Sequence, residues 1–153
     1  MRTVLMIALF AAACGGKQSG DTTTTTSGGT GGSAATLYAS LGGEPAVKAV
    51  VKDFVEEEVA KDDRINAFFK NADIPGLEQK LYEQICAASG GGCTYTGKDM
   101  KTAHQGMNVK AADFDALVED LVKSFKKFNV KDADQQALLG VLGPMKSDIV
   151  TAQ

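Results

Sequence analysis

The chain has 153 residues, which is the length of a single domain with short extensions. Its 16 Lys and Arg residues against 19 Asp and Glu residues give a formal net charge of −3. No basic stripe with interleaved aromatic side chains occurs, so we expect no nucleic-acid partner.

The N-terminus has the pattern of an export signal. Arg2 supplies a positive charge, and an apolar run of ten residues follows at 4–13, too short for a bilayer-spanning helix of roughly 20 residues. Cys14 comes next, and FAAAC is similar to the lipidation box of bacterial lipoproteins. We therefore expect residues 1–13 to be a lipoprotein signal peptide. Lipid on Cys14 would then hold the exported protein on a cell-envelope membrane, at the periplasmic face or the cell surface. The alternative is an ordinary signal followed by an incidental cysteine.

Residues 14–36 carry mainly Gly, Ser and Thr and almost no large apolar side chain. Such a segment cannot bury enough surface to offset the entropy lost on ordering. We predict a disordered, flexible linker between the membrane anchor and a folded domain at residues 37–153.

If Cys14 carries lipid, the two cysteines that remain are Cys86 and Cys93. An even number in an exported protein favours a disulfide, and the glycines at 90–92 could turn the chain so that the two sulfurs meet. Free thiols are the alternative. A metal site is less favoured because no other thiol or histidine cluster accompanies the pair.

The domain at 37–153 is predicted to be all-α, because no segment alternates between apolar and polar residues with a period of two. The first long helix starts at Pro45, after a glycine turn. The second starts near Ile74 and ends at the triple glycine. Short helical pieces are expected at 62–69, and at 99–105 before Gly106.

The third and fourth long helices complete the domain. The third carries the clearest apolar stripe in the chain, from Phe114 to Phe125. The fourth carries apolar residues up to Ile149, and its start has the spacing of a capping box made by Asp132 and Gln135. Pro144 should kink or interrupt this helix.

The segment between the second and third helices contains the only histidine, His104. Met100 lies four residues earlier, on the same face of the predicted short helix. A neutral imidazole held in this way suits an iron ligand, because one ring nitrogen can donate to the carbonyl near Met100 and fix the tautomer. A porphyrin would also need apolar walls. Candidates for these walls are Phe54, Phe68, Phe69, Leu77, Leu81, Ile85, Phe114, Val118 and Leu142. The alternative is that these side chains simply pack on one another.

The order and spacing of several motifs resemble a group 1 truncated haemoglobin. They are LYASLGG from Leu37, VVKDF from Val50, the pair Phe68-Phe69, YTGKDMKTAHQG from Tyr95, and the pair Phe114-Asp115. The resemblance extends to about residue 150. It implies an all-α, two-over-two helical sandwich that holds haem between its layers, with His104 as the proximal ligand of the iron. No Cys-x-x-Cys-His motif occurs, so the haem is expected to be haem b, bound noncovalently.

On the gas-binding side, the sequence departs from the family. The family commonly has Phe-Tyr where this chain has Phe54-Val55, and a glutamine where it has Leu81. Leu77 also matches an apolar distal position, so we expect a largely apolar distal pocket. Losing a charge-assisted hydrogen bond to bound oxygen, about 1.5–3 kcal/mol, would weaken oxygen affinity by roughly 10–150-fold.

Polar residues near the expected pocket leave alternatives open. Lys80 could bind the iron as a sixth ligand if deprotonated, or it could pair with a haem propionate at the rim. Gln84 could reach the gas or face solvent. Tyr95 matches a family position that is structural or close to the haem edge, and Lys98 is another candidate partner for a propionate.

The resemblance implies a haem protein that reversibly binds oxygen, NO or CO, and transport of such a gas is favoured over catalysis. One alternative is an NO dioxygenase or peroxidase, which would need an external reductase because the chain has no flavin or NAD motif. A redox or gas sensor with Lys80 as sixth ligand is another. A haem-free helical adaptor on the envelope is the third, and His104 with the intact YTGKDM motif argues against it.

Overall fold

The computed structural model describes residues 35–152. Within this range the structure is helical and contains no β-strand, as predicted. The expected signal peptide, the lipidation site at Cys14 and almost all of the predicted linker lie outside the described residues. No helix of the described range combines the length and the apolar character that crossing a bilayer requires.

The described α-helices fall into the order expected from the sequence. They are α1 Leu37–Ser40, α2 Gly43–Asp53, α3 Ile74–Ala88, α4 Met100–His104, α5 Ala111–Lys127, α6 Asp132–Leu142 and α7 Lys146–Ile149. A π-helical turn at Phe54–Glu58 continues α2, and 3-10 turns lie at Val59–Lys61, Asn66–Phe69 and Gly143–Met145.

The four long predicted helices correspond to α2, α3, α5 and α6, and Pro144 interrupts the last of them as expected. The predicted capping box is wrong. Asp132 is already the first helical residue, and Lys131 occupies the cap position. Gln135 therefore reaches past the helix start, where its Nε2 donates to the carbonyl of Val130 at 2.7 Å.

The helices form two layers around an apolar core, the two-over-two arrangement. Helix α2 packs on α3, while α5 packs on α2 and on the π-helical turn, and α6 packs on α3. The most deeply buried apolar side chains come from both layers and from the turns between them: Val51, Val59, Ile65, Phe125 and Leu138. Burial of these side chains drives the layers together. Helices α4 and α7 pack on each other beside this core.

A buried polar contact fixes α2 against α5. Ser124 is fully buried, and its hydroxyl donates to Oδ2 of Asp53 at 2.9 Å. The other carboxylate oxygen of Asp53 pairs with Lys127. Because Asp53 is itself 8% exposed, its charge is balanced by these two donors more than by water.

Replacement of Asp53 by Ala should lower the free energy of unfolding by about 1–3 kcal/mol, because the buried hydroxyl of Ser124 loses its acceptor. The matched control is Glu56→Ala, which removes an exposed pair with Lys52 on one helix face and should change the free energy of unfolding much less. Urea unfolding of both variants measures the difference. Equal effects would contradict a special contribution from the buried contact.

Candidate functional site

A cavity of about 360 Å³ lies between α3, α4, α5 and the α6–α7 segment. Its size is in the range of small-molecule and cofactor sites. Most of its wall is apolar, and the lining residues are Phe54, Leu81, Gln84, Ile85, Met100, His104, Phe114, Asp115, Leu117, Val118, Leu121, Leu139, Leu142, Gly143, Met145, Lys146 and Ile149.

His104 brings an imidazole to this wall. It is the last residue of α4 and is half-buried, and its Nδ1 lies 2.8 Å from the carbonyl oxygen of Met100. A carbonyl can only accept, so Nδ1 donates the hydrogen in the neutral ring. Nε2 is then left without a hydrogen and can bind a metal. The contact is the one expected from the four-residue spacing.

The turn before α4 explains how this short helix starts. Oδ1 of Asp99 accepts from the main-chain N–H of Thr102 at 2.9 Å, a helix cap whose hydrogen bonds lower the pKa of Asp99. The hydroxyl of Tyr95 donates to the carbonyl of Lys98 at 2.8 Å. The Tyr95 ring lies so close to Gly97 that a Cβ there would come within 2.3 Å of Cζ, so this position requires glycine.

Two links join this turn to α3. Cys86 of α3 and Cys93 form a disulfide, with their Cα atoms 5.6 Å apart. One turn before Cys86, the Glu83 carboxylate accepts from the main-chain N–H of Thr96 at 2.9 Å and from its hydroxyl at 2.7 Å. Hydrogen bonds from Gln79 and then from Thr96 lower the pKa of Glu83 to about 2. The segment that leads to His104 is therefore attached to the helix that forms another wall of the cavity.

The structure brings most of the predicted pocket residues to one cavity. Those on its wall are Phe54, Leu81, Ile85, Met100, His104, Phe114, Val118 and Leu142. Phe68, Phe69 and Leu77 do not line it. They pack against the apolar core, where the 3-10 turn and the first turn of α3 direct them.

The other predicted polar residues lie outside the wall. Lys80 bonds to the hydroxyl of Thr96, and its Nζ is 3.3 Å from Glu83. Tyr95 and Lys98 belong to the turn before α4, and burial raises the pKa of Tyr95. Ligation of iron by Lys80 stays a prediction, and it would require this side chain to leave Glu83 and Thr96.

Several wall residues were not predicted for this role. Leu117 and Leu121 continue the stripe of α5, so helical periodicity could have identified them. Met145 is the last residue of the 3-10 turn, and Lys146 and Ile149 lie in α7. Met145 and Ile149 continue the helical spacing of Leu142, so periodicity could have identified them as well.

Two polar groups shape the edge of the cavity. The amide Nε2 of Gln84 lies 3.4 Å from Sδ of Met100 and 3.2 Å from Sδ of Met145. Thioether sulfurs are weak acceptors, so this amide is poorly satisfied. Nζ of Lys146 lies 5.3 Å from the centre of the Phe114 ring and pairs with Asp115. Gln84 is half-buried and lines the cavity.

The residues present fit an iron porphyrin. The flat macrocycle needs apolar walls, and side chains of α3, α5 and the α6–α7 segment supply them. The iron needs one protein nitrogen, and the oriented Nε2 of His104 supplies it.

The sequence of the chain is similar to those of known truncated haemoglobins. The model of the bacterial-like globin family matches residues 36–151. A group 1 truncated haemoglobin of Tetrahymena pyriformis is 40% identical over 98 residues, which are 64% of this chain and 80% of the relative. A group 1 truncated haemoglobin GlbN of Mycolicibacterium paratuberculosis is 29% identical over 78% of this chain and 87% of its own length.

Solved structures show the same architecture. The truncated haemoglobin of Tetrahymena pyriformis in the Fe(III) form superposes with a TM-score of 0.72 at 36% identity, over 75% of this chain and 97% of the other. The 2/2 haemoglobin of Synechococcus sp. PCC 7002, in the cyanomet state and with covalently attached haem, gives 0.71 at 30% identity, over 76% and 98% of the two chains.

Reduction of the Cys86–Cys93 disulfide should lower the free energy of unfolding by about 2.5 kcal/mol, the chain-entropy value for a loop of this length. Urea unfolding of the parent chain with and without dithiothreitol measures it. The Cys93→Ala variant is the control and should show no response to the reductant. A parent chain whose unfolding midpoint ignores the reductant would argue against the disulfide.

Proposed function

The chain belongs to the bacterial-like globin family, and from this premise we propose that it is a haem protein that reversibly binds a diatomic gas at the cell envelope. The observation that carries the proposal is the free Nε2 of His104, oriented by the Met100 carbonyl at the wall of an apolar cavity. Haem b, when bound, supplies the iron to which oxygen, NO or CO attaches.

The residues of the chain have distinct parts in this function. His104 is the proposed proximal ligand, and the Met100 carbonyl keeps its ring in the tautomer that iron requires. Phe54, Leu81 and Val118 line the cavity and exclude water from it. Noncovalent attachment is proposed because the chain lacks the Cys-x-x-Cys-His motif.

The structure supports an apolar environment for the gas. Leu81 lies on the cavity wall, and Val55, where the family commonly has tyrosine, is 3% exposed and has no donor group. The amide of Gln84 contacts Met100 of the His104 helix, so we place it at the edge of the haem and not over the gas. Binding of neutral CO and NO depends less than binding of oxygen on a hydrogen-bond donor in the pocket. A pocket without such a donor therefore favours oxygen only slightly over CO and NO.

The location at the envelope is proposed from the sequence of the first 36 residues. The apolar run at 4–13 and Cys14 suit export and lipidation, and the Gly-, Ser- and Thr-rich segment is long enough to separate a domain from a membrane surface. Turnover as an NO dioxygenase or peroxidase would need an external reductase as partner.

Haem titrated into the full chain should give one Soret transition with a stoichiometry of one haem per chain. His104→Ala should lose or strongly shift that band, because the iron loses its protein ligand. Optical spectra of the ferric and ferrous forms measure this. Thr102→Ala, on the same short helix, is the control and should keep the band. Absence of stoichiometric haem uptake by the parent would refute the proposed function.

Leu81→Gln should slow oxygen dissociation by about tenfold or more, because it places an amide donor on the distal wall next to the partly negative bound oxygen. Dissociation of CO should change much less. Flash photolysis and stopped-flow measurements give both rates. Leu81→Met keeps the volume without a donor and is the matched control. A parallel slowing of oxygen and CO dissociation in both variants would indicate a steric effect instead.

A further inference from the structure

The position of helix α4 depends on contacts with the rest of the chain. It has five residues, and helices of this length are unstable in isolation. The direction of the His104 ring therefore depends on what fixes the two ends of this helix. Helix α4 packs on α7. At its N-terminal side the chain enters through the turn that begins at Thr96.

The carboxylate of Glu83 fixes this entry point. It accepts both the main-chain N–H and the hydroxyl of Thr96, at 2.9 and 2.7 Å. Gln79 donates to its other oxygen at 3.0 Å. The Glu83 side chain is 13% exposed, so few water molecules can compete for these hydrogen bonds. Bonds to an ionised acceptor are about twice as strong as neutral ones.

The residues after Thr96 connect it rigidly to the start of α4. Gly97 follows directly, the Tyr95 hydroxyl bonds to the carbonyl of Lys98, and Asp99 caps α4. Thr96 thus starts a closed turn that ends at the first residue of α4. The disulfide also joins this region to α3, but at Cys93, three residues earlier. Between Cys93 and α4, the charged hydrogen bonds to α3 that the structure describes are made by Thr96. Its main-chain N–H donates to Glu83, and its hydroxyl oxygen accepts from Lys80.

We propose that Glu83 is a positioning residue for the iron site: its carboxylate holds Thr96 on α3 and so sets the placement of α4 and the orientation of His104. The proposal rests on the proposed function, since the oriented imidazole is the iron ligand there. It adds a residue that lies outside the cavity wall and touches neither haem nor gas.

The test uses the full chain reconstituted with haem, four single variants and one double variant. Glu83→Ala removes both bonds to Thr96, and Glu83→Gln keeps an acceptor without the charge. Glu57→Ala is the matched control, because Glu57 is an exposed glutamate paired with Lys61 on a helix face. Thr96→Val keeps the N–H and removes the hydroxyl. Resonance Raman spectra give the iron–histidine stretching band of the ferrous form, and transfer to an apoglobin acceptor gives the rate of haem loss.

We expect Glu83→Ala to shift or broaden the iron–histidine band and to speed haem loss by about tenfold or more, since both charge-assisted hydrogen bonds from Thr96 are lost. Glu83→Gln should lie between this variant and the parent, and Glu57→Ala should match the parent. The double variant Glu83→Gln, Thr96→Val should lose haem more slowly than the product of the two single effects predicts, since the first change weakens and the second removes the same hydrogen bond between the Thr96 hydroxyl and residue 83.

Three results are distinguishable from this expectation. A lower melting temperature of the haem-free Glu83 variants, with the Raman band and haem loss unchanged, would mean a purely structural role and would overturn the proposal. Additive effects of Glu83→Gln and Thr96→Val would overturn it as well, and these two variants serve if Glu83→Ala does not fold. A parent chain that takes up no haem would refute the proposed function, and the positioning role with it.

Discussion

The hydrogen bond from Nδ1 of His104 to the carbonyl of Met100 is the contact on which the site depends. It determines which ring nitrogen carries the hydrogen and in which plane the ring lies. Without it the imidazole could present either nitrogen, or turn away from the cavity. The bond exists because the two residues are four apart on one helical turn, so the site requires that this turn be helical and correctly placed.

Contacts from α3 and α7 place this helical turn. Helix α3 is joined to the chain that enters α4 by a disulfide and by the Glu83 carboxylate. Helix α7 packs on α4 itself. Helix α7 is a separate element because Pro144 interrupts the preceding helix. Pro144 thus ends α6, and the separate helix α7 that follows packs on α4. Met145 and Ile149 of this segment lie on the cavity wall.

The fold was more accessible from the sequence than the site. Glycines, prolines and apolar spacing are local signals, and they located α2, α3 and α5 correctly. The partners of a side chain are not local. Phe68 and Phe69 are as apolar as Phe54 and Phe114, yet only the latter two reach the cavity. Periodicity shows that a residue is buried, but the core and the cavity are both apolar environments, and it cannot tell them apart. Glu83 gave no sequence signal, since a glutamate three residues from a lysine on a helix is ordinarily a solvated pair.

The polarity of the cavity explains why distal and edge residues have different consequences. Among the described residues of its wall, Gln84 supplies the amide, which faces two thioether sulfurs, and the charged side chains of Lys146 and Asp115 pair with each other. A gas bound to iron would then meet aliphatic side chains, since the donors lie at the edge. In such surroundings no hydrogen bond would stabilise the polar iron–oxygen unit, whereas binding of a neutral ligand does not depend on such a bond. In the proposed haem complex, the selectivity among gases would then rest on the apolar wall together with the iron and its bond to His104, so the placement of that histidine would matter as much as the residues over the gas.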